Sequence, residues 1–243
     1  MKDPDQREFY TREASDYERR RYGSRYGALF RLLQRDAVAR GMARSARSAR
    51  VLDVGSGTGQ MLPVLAAAAD LVVAGDLTPA MLFVARNQYT EFSSIAYCVS
   101  DARRLPYSDA SFEHVASSRF LHLFEPDQQQ ALISEMARVV ERNGSIIMDF
   151  YSTDGRRWFA PLIWSYRKLL GKRPENDFRV SMAAARRMVE TSGLRVEHLE
   201  GIGNFLFVPF LWLPRSWLMR GMRWFGAKLP AFSEQFLIVA RKP

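Results

Sequence analysis

Cysteine is nearly absent from this chain: there is one, Cys98, among 243 residues. A disulfide framework is thereby excluded, and a reducing, cytoplasmic setting is expected. Histidine is almost as scarce. His114, His122 and His198 are scattered without metal-ligand spacing, so no metal site is expected. No run of about 18 consecutive apolar residues occurs, which counts against a membrane span. The opening MKDPDQREFYTREASDYERRR is charged and lacks an apolar core, so a signal peptide is not expected. Acidic residues are outnumbered, 26 against 35 basic ones, giving a formal net charge of +9. Such a surface can attract nucleic acid, anionic lipid or an acidic small molecule, although simple solvation is the plainer reading. The basic run ARSARSAR, residues 43–50, reads as a short connector ahead of a strand.

What is present is an alternation of strand and helix signals in a chain that is 47% hydrophobic, enough for one large core. Residues 10–40 read as helical, interrupted near Gly23 and Gly27. Strands are expected at 50–54, 71–76, 94–99, 112–117, 145–150, 194–199 and 236–241. Helices are expected at 60–69, from Pro79 onward, and at 127–141, the last closed by Asn143-Gly144. The expected architecture is α/β: a largely parallel sheet with helices on both faces.

In such sheets ligands bind beyond the carboxyl ends of the strands, and three polar clusters fall at those ends. The stretch VLDVGSGTG places Gly55, Gly57 and Gly59 directly after an apolar strand. Glycine allows positive φ and close approach of backbone to ligand. Asp76 ends the second strand, where a carboxylate can accept two hydrogen bonds from a ribose diol. Asp101, after the third, can accept from the exocyclic amine of adenine. Either aspartate alone would read as a turn or cap residue; arriving in order at strand ends, they point to adenosine.

VLDVGSGTG, VVAGDLTPAML, SDARRLPYSDASFEHVASSRFLHLF and RNGSIIMDF together resemble a class I S-adenosylmethionine-dependent methyltransferase. The likeness is to the small-molecule branch that includes ubiquinone and menaquinone C-methyltransferases, and it covers roughly residues 51–150. It implies a Rossmann-like seven-stranded sheet, mostly parallel with an antiparallel last strand. It also implies S-adenosylmethionine as cofactor and S-adenosylhomocysteine as product. Gly55, Ser56 and Gly57 are expected beneath the amino acid and sugar, and Asp53 toward the ammonium. Asp76 is expected on the ribose, Leu77 and Met81 against adenine, Asp101 and Ala102 at the adenine edge, and Ser117 beside the methionine portion. A nicotinamide dehydrogenase is the near competitor, but its glycine spacing is GxGxxG rather than GxGxG.

One domain, 1–243, is expected: an N-terminal helical lid (1–42), the cofactor core (50–150), and substrate-side cap segments at 151–193 and 203–232. Tyr10 and Tyr17 are the expected lid residues, since an aromatic ring also favours a cationic sulfonium. His122 and Tyr151 are the candidate catalytic groups, either able to accept a proton from the methyl acceptor. Trp158, Phe159, Leu162, Ile163, Trp164, Tyr166, Leu169 and Leu170 form one aromatic-rich cap segment. In the other, a helix from Pro214 would share Leu218, Met222, Phe225 and Leu229 on one face, with Arg220 and Arg223 opposite. That segment suits a lid, an interfacial helix on lipid headgroups or a dimer contact, beside plain packing. The expected acceptor is a small apolar or aromatic molecule. RNA methylation is the alternative suggested by the basic surface, but no Asn-Pro-Pro-Tyr-like motif follows the fourth strand. A non-catalytic ligand-binding protein on the same fold is the other.

Overall fold

Val51 and Leu52 are adjacent in sequence and fully buried, yet they pack into different cores on opposite faces of the sheet. Ile146, Ile147 and Met148 alternate in the same way, as the two-residue period of a strand covered on both sides demands. The computed structural model describes residues 3–14, 16–44, 48–155 and 177–243, so the expected aromatic segment from Trp158 to Leu170 lies outside the described residues.

Seven strands form one sheet: β1 (Ser48–Val54), β2 (Ala69–Asp76), β3 (Ile95–Val99), β4 (Phe112–Ser117), β5 (Val140–Tyr151), β6 (Arg195–Ile202) and β7 (Gln235–Arg241). Their order is β3-β2-β1-β4-β5-β7-β6. All pairings are parallel except those of β7, the last strand, which runs antiparallel to both neighbours. The described helices are α1 (Asp3–Glu13), α2 (Tyr17–Tyr22), α3 (Arg25–Met42), α4 (Leu62–Ala68), α5 (Pro79–Gln88), α6 (Pro126–Val139), α7 (Met182–Thr191) and α8 (Arg215–Lys228). Leu33 and Val38 of α3, Leu65 of α4, Ala85 of α5 and Met222 of α8 fill one core. Ile133 and Met136 of α6 with Ala185 and Val189 of α7 fill the other. The chain changes face between β1 and β4, so the strand order reverses there and a crevice opens beyond their carboxyl ends.

Two boundaries differ from expectation. The helix expected to close on Asn143-Gly144 ends at Val139, because Val140 already pairs with Phe112 of β4. Asn143, at φ 62°, and Gly144 instead form an irregularity inside β5, bonded to Lys242 beyond β7. On α8, Leu218 and Met222 are buried as the spacing implied, but Leu229 falls after the helix and is 42% exposed.

Gly226 lets α8 sit directly on β6. An added Cβ would lie 2.1 Å from the carbonyl oxygen of Gly201. Gly226→Ala should gain roughly 1 kcal/mol of helix propensity and lose more to that clash. We expect a net destabilisation of about 1–3 kcal/mol, read as a lower urea midpoint; an unchanged or raised midpoint would contradict this docking.

Candidate functional site

Beyond β1 the backbone turns sharply, the N–H groups of Gly55 and Ser56 both donating to the Gly75 carbonyl at 2.9 and 3.0 Å. Gly55 has φ +71°, and a Cβ there would lie 2.2 Å from the Phe120 ring. Gly57 has φ +54°, and a Cβ there would meet nothing within 4 Å. These glycines therefore do different work. The first admits a packed aromatic ring, and the second leaves bare backbone facing open space.

That space is a partly enclosed cleft at the carboxyl ends of β1 and β2, lined on one side by Gly57, Asp76 and Met81 and on the other by Tyr10, Arg119 and Phe120. Asp76, at the end of β2, holds its near wall: Oδ2 accepts from Gly57 N–H at 2.9 Å and Oδ1 from Thr78 N–H at 2.8 Å. Each oxygen keeps a further lone pair for a ligand hydroxyl. Burial raises the Asp76 pKa, opposed by those two N–H bonds. Asp53 is 2% exposed, and burial followed by the charge of Asp76 pushes its carboxyl up to about 7. Asp101 also lines the cleft, but Arg103 grips its carboxylate through Nε and Nη2 and holds it below the usual range.

The N-terminal helices cover this floor. Glu18 of α2 accepts from Thr58 Oγ1 at 2.7 Å, from Gln60 Nε2 and from Arg31 at 3.0 Å. It latches the helix to the glycine loop. Tyr10 and Tyr17 line the cleft, their rings in edge contact at 6.2 Å. Burial drives the Tyr10 hydroxyl well above its ordinary range.

Where the floor is acidic, the opposite end is cationic. Arg119, just past β4, sits in the left-handed region at φ 55°, a conformation costing on the order of 1 kcal/mol for a non-glycine residue. Asp149 holds it there, accepting from Arg119 N–H at 2.8 Å and from the Ser118 hydroxyl at 2.6 Å. The Arg119 guanidinium donates to the Tyr22 hydroxyl at 2.8 Å, while its Nε is buried without a hydrogen-bond partner. Nearby, His122 and Tyr151 meet edge-on at 4.3 Å, and Arg179 lies over the Tyr151 ring at 4.9 Å. Burial, then Arg119, Arg21 and Arg179, push His122 well below its usual pKa, leaving a neutral imidazole whose Nδ1 has no partner. Burial raises Tyr151, keeping it a phenol.

Of the sequence-predicted residues, Tyr10, Tyr17, Gly55, Gly57, Asp76, Leu77, Met81, Asp101 and Ala102 line the cleft together. Asp53, Ser56 and Ser117 are buried beneath its wall, and the Ser117 hydroxyl donates to the Val54 carbonyl. His122 and Tyr151 are brought together but do not line it. Sequence reasoning missed Arg119, Phe120, Leu123 and Phe124, which do. A signal was available: Phe120, Leu123 and Phe124 are spaced as one face of a helical turn. The Glu18 latch had none.

Residues 52–148 match the family model of the methyltransferase domain. The chain is 34% identical over 122 residues to demethylmenaquinone methyltransferase of Clavibacter sepedonicus, covering 50% of this chain and 48% of that protein. It is 39% identical over 118 residues to the enzyme of that name from Deinococcus radiodurans, covering 47% of each. It thus spans about half the length of these curated relatives. Among solved structures, magnesium protoporphyrin IX methyltransferase of Synechocystis with bound S-adenosylhomocysteine aligns with a TM-score of 0.71 at 15% identity, covering 98% of both chains. A chain of the Haloferax volcanii complex between a methyltransferase activator and a methyltransferase aligns at 0.64 with 20% identity, covering 96% of this chain and 97% of that one. These two likenesses are of fold.

Asp53 makes stability depend on pH. Its folded pKa of about 7 lies above the ordinary carboxylate value, so its contribution is fully present below about pH 4 and is lost as pH rises through about 7. Asp53→Asn should therefore gain stability relative to the parent between pH 5 and 8, by up to about 4 kcal/mol. Urea midpoints of both proteins across that interval check it, and a constant difference would count against the shift.

Proposed function

We propose that this chain, whose residues 52–148 match the family model of the methyltransferase domain, is a class I S-adenosylmethionine-dependent enzyme that transfers a methyl group to a small, apolar or aromatic acceptor. The observation carrying this reading is the pairing of bare backbone at Gly57 with the Asp76 carboxylate across an open cleft. A nucleoside fits that pairing: a Cβ-free loop below, hydroxyl acceptors beside it, and Leu77, Met81 and Ala102 along the wall. Asp53, buried with no ion pair among the described residues, is suited to a ligand ammonium. When bound, S-adenosylmethionine supplies an electrophilic methyl group on a sulfonium.

The chain's task is then to hold an acceptor in line and to keep water out. Tyr10, Tyr17, Phe120, Leu123 and Phe124 serve exclusion, and Arg119 offers a buried donor to an acidic group on the acceptor. His122, neutral and with a free Nδ1, is the candidate proton acceptor; Tyr151, held as a phenol, is a donor instead. Curated relatives named for demethylmenaquinone methylation support an apolar ring as acceptor. A cytoplasmic setting belongs to this reading, supported by the single free thiol of Cys98.

Calorimetric titration with S-adenosylhomocysteine, with NADH run alongside, tests the proposal. Micromolar binding of the former alone is expected; NADH binding in its place would overturn it. Asp76→Ala loses both the ligand acceptor and the loop anchor, so affinity should fall at least about 100-fold, roughly 2.7 kcal/mol. Near-parental affinity in that variant would remove Asp76 from the site.

A further inference from the structure

Residues 201–233 contain no aspartate or glutamate, yet they carry Arg215, Arg220, Arg223 and Lys228. The same stretch exposes large apolar side chains: Trp212 at 74%, Trp217 at 65%, Trp224 at 62%, with Phe210, Leu206 and Val208 also exposed. Single exposed apolar residues are ordinary on a protein surface, but a contiguous set marks an interaction site.

Helix α8 has already buried one face. Leu218, Met222 and Gly226 pack on the domain, while Trp217, Arg220, Gly221 and Trp224 line an open groove on the outer side. Arg223 is paired with Asp36 at 2.6 Å, but Arg215, Arg220 and Lys228 have no ion pair among the described residues. Ahead of α8, the exposed apolar residues Leu206, Val208, Phe210 and Trp212 lie soon after the end of β6. That strand runs antiparallel to β7, which runs antiparallel to β5. Ile202 therefore lies on the same sheet edge as the glycine loop. Phe205 stacks on Tyr26 at 6.0 Å, and Arg25 donates to the Leu213 carbonyl at 2.9 Å. The apolar run is thus fastened to α3, next to the lid helix α2.

We propose that the surface formed by residues 206–228 docks on an anionic lipid bilayer. Tryptophan beside arginine, free of acidic side chains, matches the headgroup boundary: the rings enter the interface and the cations meet anionic phosphates. A second copy of the chain fits worse, since a two-fold contact through this patch would gather two sets of Arg215, Arg220 and Lys228, while the adjoining Asp36 is already engaged by Arg223 and Arg40. A nucleic acid would use the tryptophans for stacking but leaves the exposed aliphatic residues Leu206 and Val208 without a role. The docked face adjoins the edge that carries the cleft. Combined with the methyl-transfer reading, on which this clause rests, the acceptor class becomes a lipid-soluble molecule taken up from the bilayer surface.

The test uses the full chain with vesicles of phosphatidylcholine containing roughly one-third phosphatidylglycerol, against phosphatidylcholine alone. Co-sedimentation should be at least about tenfold stronger on the anionic vesicles and should weaken with salt, with a blue shift of tryptophan emission. W217A/W224A should lose at least about tenfold in vesicle binding while keeping parental affinity for S-adenosylhomocysteine, which shows the domain intact. R215Q/R220Q should remove the preference for anionic lipid. Equal binding to both vesicle types, or binding indifferent to the tryptophan pair, overturns the proposal. So does a concentration-dependent dimer dissolved by W217A/W224A, or capture of single-stranded RNA, in the absence of vesicle binding. Vesicle docking without S-adenosylhomocysteine binding would leave the docking surface standing and remove the methyl-transfer reading.

Discussion

The carboxylate of Asp76 accepts one main-chain N–H from the loop after β1 and one from the start of α5, and the floor of the cleft takes its shape from that pair of bonds. Gly57 is held with its bare backbone toward the cleft, and α5 starts from a fixed Thr78-Pro79 step. The arrangement costs stability, because burial disfavours the charge that makes Asp76 a good acceptor. Asp53 on the neighbouring strand compounds the cost, its carboxyl raised both by burial and by Asp76. A buried and a half-buried carboxylate on adjacent parallel strands oppose folding, and a cationic ligand would relieve them. The sheet topology makes the juxtaposition unavoidable: β1 and β2 are paired in register, with Asp53 opposite Ala74 and Asp76 just beyond the end of β1.

The same division between scaffold and strain recurs across the cleft. Glu18 binds α2 to Thr58, Gln60 and Arg31, so α2 is tied both to the glycine loop and to α3. Opposite, Asp149 clasps the Ser118-Arg119 turn and keeps Arg119 left-handed. A strained residue persists where the surrounding bonds over-determine it. Here the result is a guanidinium lining the cleft. Asp149 is thus the positioning residue for Arg119.

The parts legible in the sequence were those whose signal is local. Short apolar runs disclosed the two-sided strands, Pro79 the start of α5, and VLDVGSGTG the loop. The end of α6 was misread because Asn143-Gly144 is a good helix terminator in isolation, whereas pairing of Val140 with Phe112 ended the helix earlier. Tertiary pairing outweighed local turn chemistry. The Glu18 latch and the Arg119–Tyr22 bond join residues 40 or more positions apart, 18 with 58 and 22 with 119, and nothing in the neighbouring sequence marks them. Asp101 shows a third kind of difference. Its position at a strand end was legible, but its grip by Arg103 depends on side-chain geometry two residues away.

The electrostatics at the Arg119 end bear on how an acceptor would lose a proton there. His122 has a free Nδ1, yet three arginines and deep burial oppose its protonation, so it is a weak base. Tyr151 is held as a phenol and accepts no proton in the neutral range. The cationic field that weakens His122 also stabilises an anion placed beside Arg119. An acidic hydroxyl bound there would ionise more readily by its own lowered pKa, and its oxygen, like that of a neutral carbonyl, could accept from Arg119 Nε. The Arg119 end therefore favours a bound anion over a bound cation, through the same burial and arginine charge that keep His122 neutral.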